Sequence, residues 1–436
     1  MDALLCKTLS RTLLLVRDEI AEDADDANLV TALTTTSVVL IGDAHNLRSH
    51  AAQTAFITAA LLMCRSGHRV YLAAPDVPLH DRQPPLKGDH LISALLSVSN
   101  DILPGIGFSV FPPQGEATLA VLFGDSAPRF RARRSIAINA SAWAAMIDDT
   151  GRARRWIEPD WPLGGLAAGG LIAVEAFKAA MHRLRPWAKD HARFDELFRF
   201  VARTILELAP ENAPRAAILG PTDFVSGGAI TNNVLYALAR VPGLTGSGRI
   251  IEPETGDHSN LNRYAMMLMS NVGQDKGQLL RSVVRPTLAL ESIPLLYNGG
   301  RPEQIGSFAP RVLVGVDDIP ARWSVQAQQP EWLGIGATSH WDAMASFHIQ
   351  GLGCAQCLHP RDDSTVAPIP TVAFVSFFAG LMLTSYTLRS AAGEMPIPDE
   401  QYTYFSPLRP ERIWRTPVAP RAKCPTCMEA PRPLAA

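Results

Sequence analysis

Four cysteines and one polar run carry most of the chemistry legible in this chain. Cys354 and Cys357 stand in GCAQCLHP, and Cys424 and Cys427 in KCPTCME. Thiolates spaced this way suit a tetrahedral metal, and zinc takes four of them. A four-cysteine zinc site is expected, with a redox role or coincidence as the alternatives. The polar run lies in RIIEPETGDHSNLNRYAMMLMSNVGQDKG, Arg249 to Gly277. It opens like the second strand of a nucleotide-binding fold and closes that strand with Glu252. Glu254, Ser259, Asn260, Asn262, Arg263 and Lys276 follow. Two cations among uncharged amides suit a phosphate ligand. Hydride transfer, which has no triphosphate to neutralise, does not need them.

The elements that must hold these residues follow one plan twice. SVVLIGD reads as a buried strand entering a turn, SHAAQTAFITAALLMCRSG as a helix, and HRVYLAAPD as a second strand ending in Asp76. A strand ATLAVLFGD and a small-residue helix, WPLGGLAAGGLIAVEAFKAAMHRL, come later. From residue 215 the order repeats: RAAILGPTD with Gly220, Gly227 and Gly228 in its loop, the helix AITNNVLYALARV, then GRIIEPE and RVLVGVDD. PIPTVAFVSFFAGLMLTSYTL closes the second half as a helix. Strands alternating with helices predict mostly parallel sheets covered on both faces. The fold class is α/β, two Rossmann-like domains forming a pseudo-dimer within one chain. Boundaries fall at 1–190, a linker of 191–212 read as a connecting helix, and 213–436, whose last stretch from about 395 reads as irregular. No amide–arginine run follows Asp76, so the first half is read as a scaffold.

The totals agree with a globular chain. Of 436 residues 47% are hydrophobic and 19% charged, which excludes a disordered one. A net charge of −2 gives no basic field, so nucleic acid is not expected. The first residues lack a secretory pattern and read as an amphipathic helix, and a cytoplasmic setting is expected. Val366 to Leu388 is uncharged and long enough to span a bilayer. Its counterpart at the same place in the first half argues for a core helix and no membrane.

Taken in order, these residues resemble the ThiF/MoeB superfamily, the ubiquitin-activating type of adenylating enzyme. The resemblance covers roughly residues 215 to 427. It rests on Gly220, Gly227 and Gly228; on Glu252 and Glu254; on Ser259-Asn260-Leu261-Asn262-Arg263; on Lys276; on Asp317-Asp318 with Arg322; and on the two cysteine pairs. GPTDFVSGG is longer than the usual GxGxxG turn. Glu252 stands for the usual aspartate, Tyr264 for a frequent glutamine, Asp318 for a frequent asparagine. The halves become ThiF-type domains under this resemblance, which implies ATP and Mg²⁺ as well as zinc. The loop and helix N-terminus would meet phosphate, Glu252 the ribose, Arg263 and Lys276 the departing pyrophosphate, and Asp317 the Mg²⁺. Asn260 and Asn262 would fix phosphate or metal-bound water. Each residue alone has a plainer reading: a polar cap with a surface arginine, a solvated lysine, an N-cap at Asp317, any strand end at Glu252. His340, His348 and His359 read as structural, since four cysteines complete a zinc site.

Many family members pass the activated carboxyl to a cysteine after the first CxxC. Here no cysteine lies between Cys357 and Cys424. That window offers the hydroxyls of Ser364, Thr365 and Thr371, as loop and cap residues or as ester-forming acceptors. The reading is ATP-dependent adenylation of the C-terminal carboxylate of a ubiquitin-like protein, with a conjugating enzyme as partner and a homodimer as a further option. The alternatives are a small-molecule, sulfur-carrier or tRNA substrate, a non-catalytic nucleotide-binding scaffold, and, last, a Rossmann oxidoreductase.

Overall fold

The structure, a computed structural model, describes residues 3–111, 113–127, 130–150, 156, 160–297, 304–362, 369–395 and 397–429. It contains two mixed sheets. The first has β1 (Ser37–Ile41), β2 (Arg69–Ala73), β3 (Phe108–Ser109), β4 (Ala117–Phe123), β5 (Ala132–Ala140), β6 (Ala144–Asp148) and β7 (Arg203–Glu207). The second has β8 (Ile218–Val225), β9 (Thr245–Ile251), β10 (Leu288–Ile293), β11 (Arg311–Val314), β12 (Trp332–Ser339), β13 (Asp342–His348), β14 (Tyr402–Phe405) and β15 (Ile413–Thr416). Their orders are β3-β2-β1-β4-β5-β6-β7 and β10-β9-β8-β11-β12-β13-β14-β15. In each sheet the first five strands are parallel and the rest antiparallel. The repeated plan in the sequence is thus a repeated topology.

Small residues bring the covering helices close. Leu163–Met181 and Ala373–Ala391 lie at matching places, between β6 and β7 and between β13 and β14. They touch each other: a Cβ on Gly170 would lie 2.7 Å from the Phe378 ring. Tyr236 of the helix Ala229–Leu238 shares a 2.9 Å hydroxyl contact with Thr58 of His50–Arg65. One apolar core therefore runs through both halves, and each fully buried phenylalanine such as Phe177 or Phe378 contributes roughly 1.5–3 kcal/mol. Within the apolar stretch read as a core helix, Ala373 onward is helical and buried to Arg389, while residues 366–368 lie outside the described residues. Among the described residues, Leu163–Trp187 is long and apolar enough to cross a membrane, and 94% of its apolar window is buried inside the protein.

Two readings need correction. The connecting helix expected in 191–212 is a short helix, His191–Leu197, followed by β7, which pairs with β6. The β-branched Thr204 and Ile205 suit a strand edge. The irregular tail contains β14 and β15. YTYF alternates half-buried and buried side chains, which fits a strand added to β13.

Candidate functional site

The carboxyl ends of β8, β9 and β11 meet at one edge of the second sheet. β8 has β9 on one side and β11 on the other, so the chain departs in opposite directions from β8. Such a switch point leaves a crevice in open α/β sheets. Here it is a cleft of about 600 Å³. After β8 the chain turns through Ser226, a non-glycine residue at φ +87°. Its hydroxyl accepts the Gly228 N–H at 2.9 Å. Gly227 must be small, since a Cβ there would lie 2.9 Å from Glu252 Cγ. The helix Ala229–Leu238 then starts with no side-chain cap, its first residues lining the cleft. Uncapped N–H groups at a helix start form a ready anion site.

Glu252 follows β9 and is buried. Its two oxygens accept the Gly227 N–H at 2.6 Å and the Glu254 N–H at 2.8 Å, which fixes the carboxylate at the cleft. Arg263 donates to Asn262 Oδ1 at 2.9 Å and to the Ser259 carbonyl. Burial, only partly offset by Tyr264 and Asp317, lowers its pKa. Lys276 opens the helix Lys276–Val283 and pairs with Glu254. Burial opposes its charge, but Tyr264 and the Glu254 and Glu252 carboxylates outweigh that and raise its pKa. Asp317, after β11, has its pKa raised by burial despite Arg322, Arg263 and Arg11. Asp318 caps the next helix through the Ala321 N–H at 2.7 Å.

The cleft also takes a residue that the sequence did not flag. Arg11, from the helix Ala3–Glu19 of the first half, lines it. Among the contacts that seat that helix are Lys7 Nζ on Asp257 at 3.1 Å, the Asn262 amide on Thr12 Oγ1 at 3.1 Å and Arg11 Nη1 on the Ile369 carbonyl at 3.4 Å. Asn262 thus ties the halves together instead of facing the cleft. Asn260 does line it, while its Oδ1 caps the Asp257 N–H at 2.9 Å. Ser259 borders a side lobe that shares Arg11, Glu254 and Lys276 with the cleft. Gly220 is not in the turn at all. It sits inside β8 at φ +72°, where the register with β9 shifts.

Matching places in the first half are filled by its own side chains. Asp76 accepts the Ile92 N–H at 2.7 Å and the Ser93 N–H at 3.1 Å, so it caps the helix Leu91–Val98. Between the ends of β1 and β4, the buried Asn46 donates to Asp43 at 3.1 Å and to Asp125 at 2.7 Å.

Of the three hydroxyls, Ser364 and Thr365 lie outside the described residues. Thr371 lines the cleft, with its Oγ1 3.4 Å from Ser376 Oγ. The four cysteines do converge. Sγ separations are 3.4 Å for Cys354–Cys424, 3.4 Å for Cys357–Cys427, 3.3 Å for Cys354–Cys427 and 3.7 Å for Cys354–Cys357, all pairs lying within 4.8 Å. Zinc–sulfur bonds of about 2.3 Å put tetrahedral sulfurs about 3.8 Å apart, so the cluster fits a metal ion. Among the described residues no histidine belongs to it. His348 instead contacts the Gly353 carbonyl at 2.8 Å, His340 faces Glu19 at 3.3 Å, and His359 Nε2 lies 3.3 Å from Arg322. Arg322 also donates to the Val316 carbonyl at 2.8 Å, linking the cysteine knuckle to the Asp317 loop.

Residues 37–197 match the family model described as the BilD N-terminal domain. An uncharacterized protein of Sinorhizobium fredii (strain NBRC 101917 / NGR234), y4jF, is 27% identical over 273 residues, which is 61% of this chain. The chain spans about half the length of that relative, 51%. Among solved structures, E. coli MccB with ATP has a TM-score of 0.41 and 13% identity, over 67% of this chain and 97% of its own. MccB with N-formylated MccA, a microcin C7 biosynthetic enzyme, has a TM-score of 0.43 and 14% identity over the same shares. PaaA has a TM-score of 0.38 and 12% identity, over 46% of this chain and 73% of its own. At these scores the likeness carries no weight beside the site's own geometry.

Proposed function

We propose that this chain is an ATP-dependent adenylating enzyme of the ThiF/MoeB type, an intramolecular pseudo-dimer whose second half (213–436) is active and whose first half (1–190) is a scaffold. The observation that carries the reading is convergence. Glu252, Arg263 and Lys276 from one stretch and Asp317 from another line one cleft at a switch point, joined by Arg11 from the other half. The phosphates would lie on the helix start after Gly228, with Arg263, Lys276 and Arg11 around them. Glu252 would take the ribose hydroxyls. Asp317 suits Mg²⁺, which binds through one or two carboxylates plus phosphate oxygens and would neutralise charge on the triphosphate. A substrate carboxylate then attacks the α-phosphorus, the bond to the β-phosphate oxygen breaks, and pyrophosphate leaves with its charge held by the three cations.

The substrate of this reading is the C-terminal carboxylate of a ubiquitin-like protein, activated in the cytoplasm for a conjugating enzyme. A side lobe shares Arg11 and Lys276 with the cleft, and a substrate tail would approach there. The adenylate would pass directly to the partner or to one of the hydroxyls Ser364, Thr365 and Thr371, of which Thr371 lines the cleft. The four-cysteine cluster is read as structural zinc.

The test is ATP–pyrophosphate exchange with Mg²⁺ and a small protein ending in a flexible glycine-terminated tail, encoded by a neighbouring gene. Exchange should require that protein and stop when its C-terminus is amidated. Exchange with free amino acids alone would favour the small-substrate reading. Tight ATP binding without exchange towards any carboxylate would favour the scaffold.

A further inference from the structure

Arg65 ends the helix His50–Arg65 of the first half and is fully buried. Its guanidinium crosses to the second half and lands on three backbone carbonyls. Nη1 donates to Leu261 O at 2.7 Å; Nη2 donates to Ala265 O at 3.0 Å and to Met267 O at 2.6 Å. These carbonyls bracket Arg263 and Tyr264. The same stretch is held from its other side by the helix Ala229–Leu238. Asn232 Oδ1 accepts the Met266 N–H at 3.0 Å, and Asn233 Nδ2 donates to Arg263 O at 3.2 Å. Burial lowers the Arg65 pKa to about 10, which leaves it charged at neutral pH. A planar fork with five donors can serve three carbonyls at once; a lysine ammonium on a flexible stem cannot reproduce that geometry.

We infer that Arg65 is a positioning residue for the cleft: it fixes the backbone from Leu261 to Met267 and so aims the Arg263 guanidinium at the bound phosphates. This rests on the reading of the cleft as an ATP site. Without the fork, three buried carbonyls lose their donor, and the loop relaxes toward water to satisfy them. The loop that presents the active arginine is then built partly by the half that has no site of its own. Arg240 supplies the comparison. It too is a fully buried arginine at the junction, but its hydrogen bonds go to Pro84 O at 2.6 Å and Tyr236 O at 2.8 Å, outside the loop.

The experiment uses the full chain with Arg65→Lys, Arg65→Met and Arg240→Met. Amide hydrogen exchange is measured over residues 261–268, with thermal unfolding and MgATP affinity alongside. Arg65→Lys should speed exchange at the Ala265, Met266 and Met267 amides and weaken MgATP by about tenfold, one charge-assisted contact's worth. Arg240→Met should lower thermal stability while leaving loop protection and MgATP affinity unchanged. In an Arg263→Ala background, Arg65→Lys should cost little further affinity, because it acts through Arg263. Unchanged loop protection in Arg65→Lys, or a fully additive loss with Arg263→Ala, overturns the inference. If Arg65→Met does not fold, Arg65→Lys alone decides. Failure of the wild-type chain to bind MgATP would refute the ATP reading separately, because loop protection is read without nucleotide.

Discussion

The ammonium of Lys276 rests on the carboxylate of Glu254, and the two are unequal partners: the lysine side chain is 6% exposed, the glutamate 69%. A cation buried in the cleft is thus held by an acid free to swing into water. Under the proposed reading, Glu254 occupies the lysine where a phosphate would sit.

In the proposed ATP site this pair opens as nucleotide enters. Glu254→Gln should therefore tighten MgATP by up to about fivefold, since a pair with one exposed member is worth about 0–1 kcal/mol. Lys276→Ala and Arg263→Ala should each lose at least about tenfold in exchange rate. Titration with a fluorescent ATP analogue separates the cases. Weaker binding in Glu254→Gln would mean that Glu254 itself touches the nucleotide.

Asp317 sets function against stability. Burial raises its pKa above the ordinary carboxylate value of 3.8. A raised folded-state pKa means that the group's contribution is fully present below the unfolded value and lost as pH rises through the folded one. At neutral pH the ionised carboxylate therefore costs stability. Asp317→Asn should raise the melting temperature at pH 7 without ligand, and the gain should shrink as pH falls toward 4. The same variant should lose Mg²⁺-dependent exchange. A lower melting temperature at pH 7 would contradict the sign.

Asp76 and Glu252 each stand near the end of a second strand, yet their surroundings assign different work. Asp76→Ala should reduce stability by about 1 kcal/mol, as loss of a helix cap does, and leave exchange intact. Glu252→Gln should impair exchange. Comparable catalytic losses in the two would overturn the division between the halves.

The cysteine cluster predicts about one zinc per chain by elemental analysis. Cys354→Ser or Cys427→Ser should lower both zinc content and melting temperature, and a chelator should do the same to the wild type. The Arg322 link carries the loss further: metal removal should weaken Mg²⁺-dependent binding at Asp317. Four freely reactive thiols with no metal would count against the site.

Much of this was legible because it is local. Strand ends such as Glu252 and Asp317 follow apolar runs, and CxxC pairs announce themselves. The sequence pattern puts Gly220 in the turn because glycine inside a strand and glycine in a turn look alike without register; here φ +72° belongs to a shift within β8. Asn262 matched a pattern, but its amide faces Thr12, a contact no spacing rule contains. Arg11 and Arg65 were invisible for the same reason. Their partners lie on the other half, and only packing of the two cores brings them into reach.

That packing has a consequence for how the chain is made. Lys7 and Thr12 of the helix Ala3–Glu19 find Asp257 and Asn262, each 250 positions later. A ribosome adding about 5–20 residues per second needs roughly 10–50 s to deliver those partners. For that interval Arg11 has no cleft to line, and the face of the helix that will meet the second half stays open to water. The helix Ala3–Glu19 thus docks against the second half only after a long wait. A nascent chain stalled before residue 257 should be a good client for a chaperone, and the helix Ala3–Glu19 should be the segment bound.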